Sequence, residues 1–189
     1  PEHEIIFLPW DRFALIRGSL LDRHFSHTES MDGTLVQLIV KCREACFITL
    51  LFDHRSDLSV PRKHALHALT GTVRHFADQP LLLMGDFNTP ADSAYLAPIR
   101  QLLTDPFDST GSGWKETWPV PLPLLTLDQL WISPAVAASR TFHARLGNSL
   151  HEAIVIDFRL RQSVDMNDLH FPAPYPSQQE NKPISPSST

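Results

Sequence analysis

Leu81-Leu82-Leu83-Met84-Gly85-Asp86-Phe87-Asn88 is the stretch from which the rest of the chain can be organised. Four apolar residues in a row, introduced by Gln79-Pro80, are too few for a helix and enough for a strand buried on both faces. Gly85 permits a sharp exit from that strand and Pro90 stops it from continuing, so Asp86 and Asn88 stand at its C-terminal end. Residues two apart on a strand end point the same way, which brings a carboxylate and an amide to one spot. A carboxylate there can hold a water for attack, and an amide can donate to a phosphoryl oxygen without adding charge. The same pair can also simply make a turn.

Upstream of this strand, Ser59 is a candidate N-cap with Pro61 in the first turn of a helix. Ala65, Leu66, Leu69, Val73 and Phe76 follow at helical spacing and form one apolar stripe that needs a sheet to cover it. Before the helix, Leu35 to Val40 and Cys46 to Phe52 are two β-rich runs joined by the polar Lys41 to Ala45, the length of a hairpin connection. Downstream, a short helix follows Asp92 or Ser93 and is interrupted near Pro98, and Asp105 to Trp114 is rich in turn formers. Leu127 to Ile132 and Ala153 to Leu160 are further strands, with a weaker one from Thr141 to Leu146. In the last, Ile154, Ile156, Phe158 and Leu160 share a face. Strand pairs on both sides of a strand-helix-strand passage predict a mixed α/β fold with packed sheets and helices outside.

Alternation in Leu127 to Ile132 puts Asp128 on the same face as Leu130 and Ile132, where a charge needs a partner. His151, just before the last strand, is the candidate. A carboxylate accepting from one ring nitrogen fixes the tautomer and favours the imidazolium beside an anionic substrate. The alternative is an Asp satisfied by backbone donors.

The 189 residues are 42% hydrophobic with a net charge of −5, which fits one sizeable core and argues against wholesale wrapping of nucleic acid, though a local basic groove remains compatible. No apolar run reaches the roughly 20 residues of a membrane span, and Pro1-Glu2-His3-Glu4 does not open like a signal peptide. Two cysteines cannot form a disulfide framework. They leave the compartment undetermined, with a lean towards a reducing, cytoplasmic one. Residues 1–163 are read as one domain and 164–189 as a disordered tail, because Phe171 to Thr189 holds five prolines and four serines and cannot offset its ordering entropy.

Leu81 to Ser93, Thr117-Trp118-Pro119, Leu127-Asp128-Gln129-Leu130-Trp131-Ile132-Ser133, and Ser149-Leu150-His151 before Ala153 to Phe158 together resemble the endonuclease/exonuclease/phosphatase superfamily, the deoxyribonuclease I-like group. Four motifs match in order and spacing over roughly Leu35 to Leu160. The resemblance implies a four-layered α/β sandwich of packed mixed β-sheets flanked by helices, and metal-assisted hydrolysis of a phosphoester by in-line attack of water. It gives Asp86 the role of activating or orienting that water, Asn88 a contact to phosphate, Asp128 the orientation of the catalytic histidine, and His151 the part of that histidine at the scissile phosphate. A further active-site His ends the strand equivalent to Phe47 to Phe52. Asp53-His54 stands there, which makes His54 a candidate substrate ligand and leaves open which of the two points inward. The substrate is a phosphoester of nucleic acid, lipid headgroup or small phosphate, and oxygen donors with phosphate suit Mg²⁺ or Mn²⁺.

Two departures stand out. The superfamily reads Ser-Asp-His where this chain has Ser149-Leu150-His151, so an apolar side chain replaces a carboxylate that helps shape the metal site. The superfamily's early Asn and metal-binding Glu do not appear before Leu35, and Phe13 to Leu20 is similar to the segment that follows that Glu. A partial domain missing its N-terminal strands is therefore expected, and a non-catalytic binding module is the rival reading. Other features are read as structural: Cys42 and Cys46 as strand residues, His64 and His67 as a solvated helix face, and Gly111-Ser112-Gly113 as a flexible turn. Trp114 and Trp118 either stack on a substrate base or close over the core.

Overall fold

The computed structural model describes residues 3–8, 12–17, 19–26, 33–42, 45–57 and 59–161, with side chains over 33–40, 46–57 and 59–161. The expected tail from 164 lies outside the described residues. Strands β4 (Gly33–Cys42) and β5 (Ala45–His54) pair antiparallel along their whole length, so the predicted hairpin is longer at both ends than its apolar runs. Helix α1 (Arg62–Phe76) crosses from β5 to β6 (Leu81–Asp86), which lies parallel to β5, and β8 (Asp128–Ile132) pairs antiparallel to β6. With β3 (Ser19–Ser26) at the other edge these form a five-stranded mixed sheet in the order β3-β4-β5-β6-β8. A second sheet has the order β10-β9-β7, from β7 (Gly111–Ser112), β9 (Val136–Arg145) and β10 (Glu152–Leu160). Strands β1 (His3–Leu8) and β2 (Arg12–Arg17) pair with each other. The sequence reading left the three strands before Gly33 unassigned.

Each face of the large sheet has its own core. The predicted stripe of α1, Ala65, Leu66, Leu69, Val73 and Phe76, is buried against Ile48, Leu50, Phe52, Leu81 and Leu83. Each such large side chain contributes on the order of 1.5 to 3 kcal/mol by burial. On the opposite face, Val36, Leu38, Leu82, Leu130 and Ile132 meet the shared face of β10, Ile154, Ile156, Phe158 and Leu160, and Phe158 stands edge-on to Phe47 with ring centroids 5.4 Å apart. Helix, sheet and sheet are therefore stacked as an α/β sandwich.

Three local expectations are corrected. Ser59 does not cap α1: its N–H and hydroxyl both donate to Asp57, at 2.8 Å each, and the helix begins after Pro61 with no side-chain cap. Pro98 does not interrupt a helix. A 3₁₀ turn over Ala94–Leu96, started by Ser93, gives way to α2 (Ala97–Arg100), and Pro98 sits in the first turn of α2, where its missing N–H costs nothing. Gly111 and Ser112 are not a free turn. They follow the short α3 (Phe107–Thr110) and pair in parallel with Thr141 and Phe142.

Candidate active site

The end of β6 is built on Gly85. It lies opposite Phe52 with φ 143°, and a Cβ there would come within 1.8 Å of the Phe52 carbonyl oxygen, so only glycine lets the two strands run side by side to their ends. The next residue, Asp86, is paired in register with Asp53 on β5 and with Asp128 on β8. Alternation puts all three on the sheet face that carries Leu51, Met84 and Leu130, which is the face covered by β9 and β10. Period-two pattern alone could not say which of Asp53 and His54 points that way. Here Asp53 shares the face of Asp86, while His54, 1% exposed, lies on the α1 side with its ring near Phe52. Both line the cleft, because it opens at the strand ends.

A row of three carboxylates across adjacent strands is electrostatically unfavourable without a positive partner. Asp128 has a hydrogen-bond donor in His151, whose Nδ1 donates to Asp128 Oδ2 at 2.8 Å. The loop before β8 fixes Asp128 from the other side. Thr117, fully buried, accepts the N–H groups of Leu127 and Asp128 on its hydroxyl at 3.2 and 3.1 Å, and its carbonyl accepts from Glu152 N–H at 3.0 Å. One buried threonine, through its hydroxyl on one side and its carbonyl on the other, thus ties together the segments that carry Asp128 and His151.

Asn88 is held from three directions in a left-handed conformation with φ 44°. Its N–H donates to Asp86 Oδ1 at 2.9 Å, its side-chain Nδ2 donates to the His54 carbonyl at 2.7 Å, and its own carbonyl accepts from Arg62 Nε at 2.7 Å. The turn is present, and it is the backbone N–H of Asn88 that meets Asp86, while the side-chain amide is directed to the His54 carbonyl. His54 is in turn oriented by a hydrogen bond from Nδ1 to the Arg55 carbonyl, 2.8 Å long.

These groups open onto a cleft of about 1070 Å³. Asp53, His54, Asp86, Asn88 and His151 line it together with Arg55 and Arg62 and with Tyr95, Trp118 and Leu125. Trp118 therefore lies at the site, its ring 6.5 Å from that of His151, whereas Trp114 is exposed and donates to the Pro123 carbonyl. Ligand atoms of Asp86, Asp128 and His151 lie within 4.8 Å of one another. The two carboxylates at that separation, beside a third aspartate in the same row, fit a hard divalent cation that completes its shell with water and substrate oxygen, while Nδ1 of His151 is already committed to Asp128. Leu150 does not fill the site. It is 62% exposed, and only its carbonyl is engaged, by Val120 N–H at 2.9 Å.

Solved structures share this architecture. An endonuclease/exonuclease/phosphatase from Bacteroides vulgatus aligns at TM-score 0.59 and 16% identity over 75% of this chain and 66% of its own. The chain has the endonuclease/exonuclease/phosphatase fold. A mannosyl-6-phosphatase from Bacteroides thetaiotaomicron with this fold aligns at TM-score 0.64 and 13% identity, covering 85% of this chain and 78% of that one. The human Nocturnin catalytic domain with bound sulfate aligns at 0.62 and 19%, covering 84% and 72%. No family model and no curated protein matches the sequence. Among the described residues no helix is long and apolar enough to cross a membrane.

Sequence reasoning missed two residues of this site. Thr117 was quoted only as part of a motif, although a threonine ten residues before an Asp-bearing strand gives no signal of its hydroxyl's partners. Arg62 looked like one charge on a solvated helix face, and only the return of the chain to Asn88, twenty-six residues on, shows its use.

Proposed function

We propose that the cleft hydrolyses a phosphoester, with Mg²⁺ or Mn²⁺ held by carboxylate oxygens of Asp86 and Asp128. The observation that carries this reading is the convergence of Asp86, Asp128 and His151 within 4.8 Å, with Asp86 and His151 lining the cleft, in a chain of this fold. When bound, the cation supplies Lewis-acid stabilisation of the charge that develops on the phosphate. Asp86, 6% exposed and held by Asn88 N–H, orients the attacking water. Asn88 spends one amide hydrogen on His54 and offers the other to a phosphoryl oxygen. Asp128 accepts from Nδ1 of His151, which leaves Nε2 as the ring nitrogen for the scissile phosphate, while His54 lines the same cleft and takes the amide of Asn88 on its carbonyl. The exposed position of Leu150 supports this reading over an abandoned site, in which that side chain would occupy the vacated space. The test is hydrolysis of bis(4-nitrophenyl) phosphate by the chain. Turnover that needs Mg²⁺ or Mn²⁺ and stops with EDTA is expected, and a chain inert under all of these conditions, though folded, contradicts the proposal.

A further inference from the structure

Two guanidinium groups line the cleft, and apart from the bond of Arg62 Nε that holds Asn88 neither has a role in the hydrolysis as described. Arg62 is half immobilised. Its Nε is committed to the Asn88 carbonyl at 2.7 Å, and among the described residues its guanidinium makes no second hydrogen bond. The edge formed by its two Nη groups, the one that grips oxyanions in pairs, is therefore both oriented and unspent. Arg55, exposed directly after β5, lines the same cleft. The carboxylate nearest them, Asp57, is turned to the N–H and hydroxyl of Ser59, and these bonds hold its pKa below the ordinary value, with the two arginines adding to the effect. Asp57 thus attracts both guanidinium groups while forming no salt bridge with either among the described residues. Two guanidinium groups lining one cleft, one of them with its Nη edge unspent among the described residues, offer an anionic ligand group a place to bind beside the carboxylates.

We propose that Arg55 and Arg62 form a subsite for a second anionic group, a phosphate that the substrate carries beside the scissile phosphoester. This rests on the reading of the cleft as the hydrolytic site, and it restricts the substrate class to phosphoesters with two phosphates in reach of one another. A nucleotide with a second phosphate and a bisphosphorylated inositol headgroup both meet that chemistry.

Calorimetric titration of the chain separates the two sources and needs no turnover. Thymidine 3′,5′-bisphosphate is compared with thymidine 5′-monophosphate, and inositol 1,4-bisphosphate with inositol 1-phosphate, for the parent, Arg55→Gln and Arg62→Lys. The bisphosphate of at least one pair should bind about tenfold more tightly than its monophosphate, and Arg55→Gln should reduce that preference to below about threefold while monophosphate affinity and thermal midpoint hold. Arg62→Lys, which keeps the charge and loses the fork, should fall between. Equal affinities within both pairs, a preference that survives both substitutions, or no binding of any of the four ligands overturns the subsite. A chain that binds a bisphosphate in this arginine-dependent way but hydrolyses nothing keeps the subsite and loses the hydrolase reading, and a hydrolase indifferent to the second phosphate does the reverse.

Discussion

Replacing Thr117 by Val tests how the site is held together. The two side chains have nearly the same shape, so the buried space stays filled, and what disappears is the hydroxyl that accepts from Leu127 N–H at 3.2 Å and Asp128 N–H at 3.1 Å. Neither amide has another partner among the described hydrogen bonds. Asp128 sits opposite Asp86, and the bond Phe87 N–H to Leu127 carbonyl makes that pair a non-hydrogen-bonded one. An orphaned buried donor costs about 1 to 3 kcal/mol, so two cost about 2 to 6, and bonds of this length, with the Asp128 N–H only partly buried, place the expectation near 2 to 3 kcal/mol. That is a sizeable part of the 5 to 15 kcal/mol or so that holds a domain folded. The assay is urea unfolding of Thr117→Val beside Thr117→Ser, which keeps the hydroxyl and should lose only about 1 kcal/mol for the buried methyl. The midpoint should fall in Val at an unchanged slope. A Val variant within about 0.5 kcal/mol of the parent, or less damaged than Ser, would refute the reasoning.

His143 packs against Phe107, and its Nδ1 is buried without a hydrogen-bond partner. Burial pushes its pKa below the ordinary 6.5, only partly offset by Glu152 and the Glu116 carbonyl. The unfolded chain therefore takes up a proton at this position before the native one does, so the stability His143 contributes is full above about pH 6.5 and drains away as pH falls through the native value. Thermal midpoints of His143→Phe followed from pH 8 to 5 should fall less steeply than those of the parent, and parallel curves would contradict this. Leu150→Asp should change stability by no more than about 0.5 kcal/mol, because the side chain is 62% exposed and its carbonyl bond to Val120 is kept. If the added oxygens reach the cleft, Mg²⁺ or Mn²⁺ should activate the variant at lower concentration in a metal titration, and a variant destabilised by more than about 1 kcal/mol would show that Leu150 packs after all.

Much of this arrangement is legible in the sequence where a single periodicity decides. The α1 stripe and the doubly buried run Leu81 to Met84 have one reading each, and the strand that starts at Asp128 keeps its alternation to Ile132. The four residues that the motifs single out, Asp86, Asn88, Asp128 and His151, come together as expected in space, linked through the Asp86–Asn88 and Asp128–His151 hydrogen bonds. Less legible is whatever depends on a non-local partner. The choice between Asp53 and His54 follows from which face of β5 meets β9 and β10. The start of α1 follows from Asp57 taking Ser59 for itself, and the use of Gly111 and Ser112 follows from the chance of pairing with β9. Strands before Gly33 lack a clean alternating pattern bounded by turn formers, and pairing with β4 is what orders Ser19–Ser26.

The most direct test of the hydrolytic reading is the turnover of Asp86→Asn, measured together with its thermal midpoint in the presence of Mg²⁺ or Mn²⁺. The amide oxygen of the new side chain can still accept from Asn88 N–H, now 2.9 Å from Asp86 Oδ1, so the turn keeps its shape and the carboxylate's charge alone is lost. The expected result is a fall in turnover of about 10² to 10⁴ with a midpoint within about 2 °C of the parent. Parent-like turnover in a normally folded Asp86→Asn would mean that Asp86 only makes a turn, and would contradict the account.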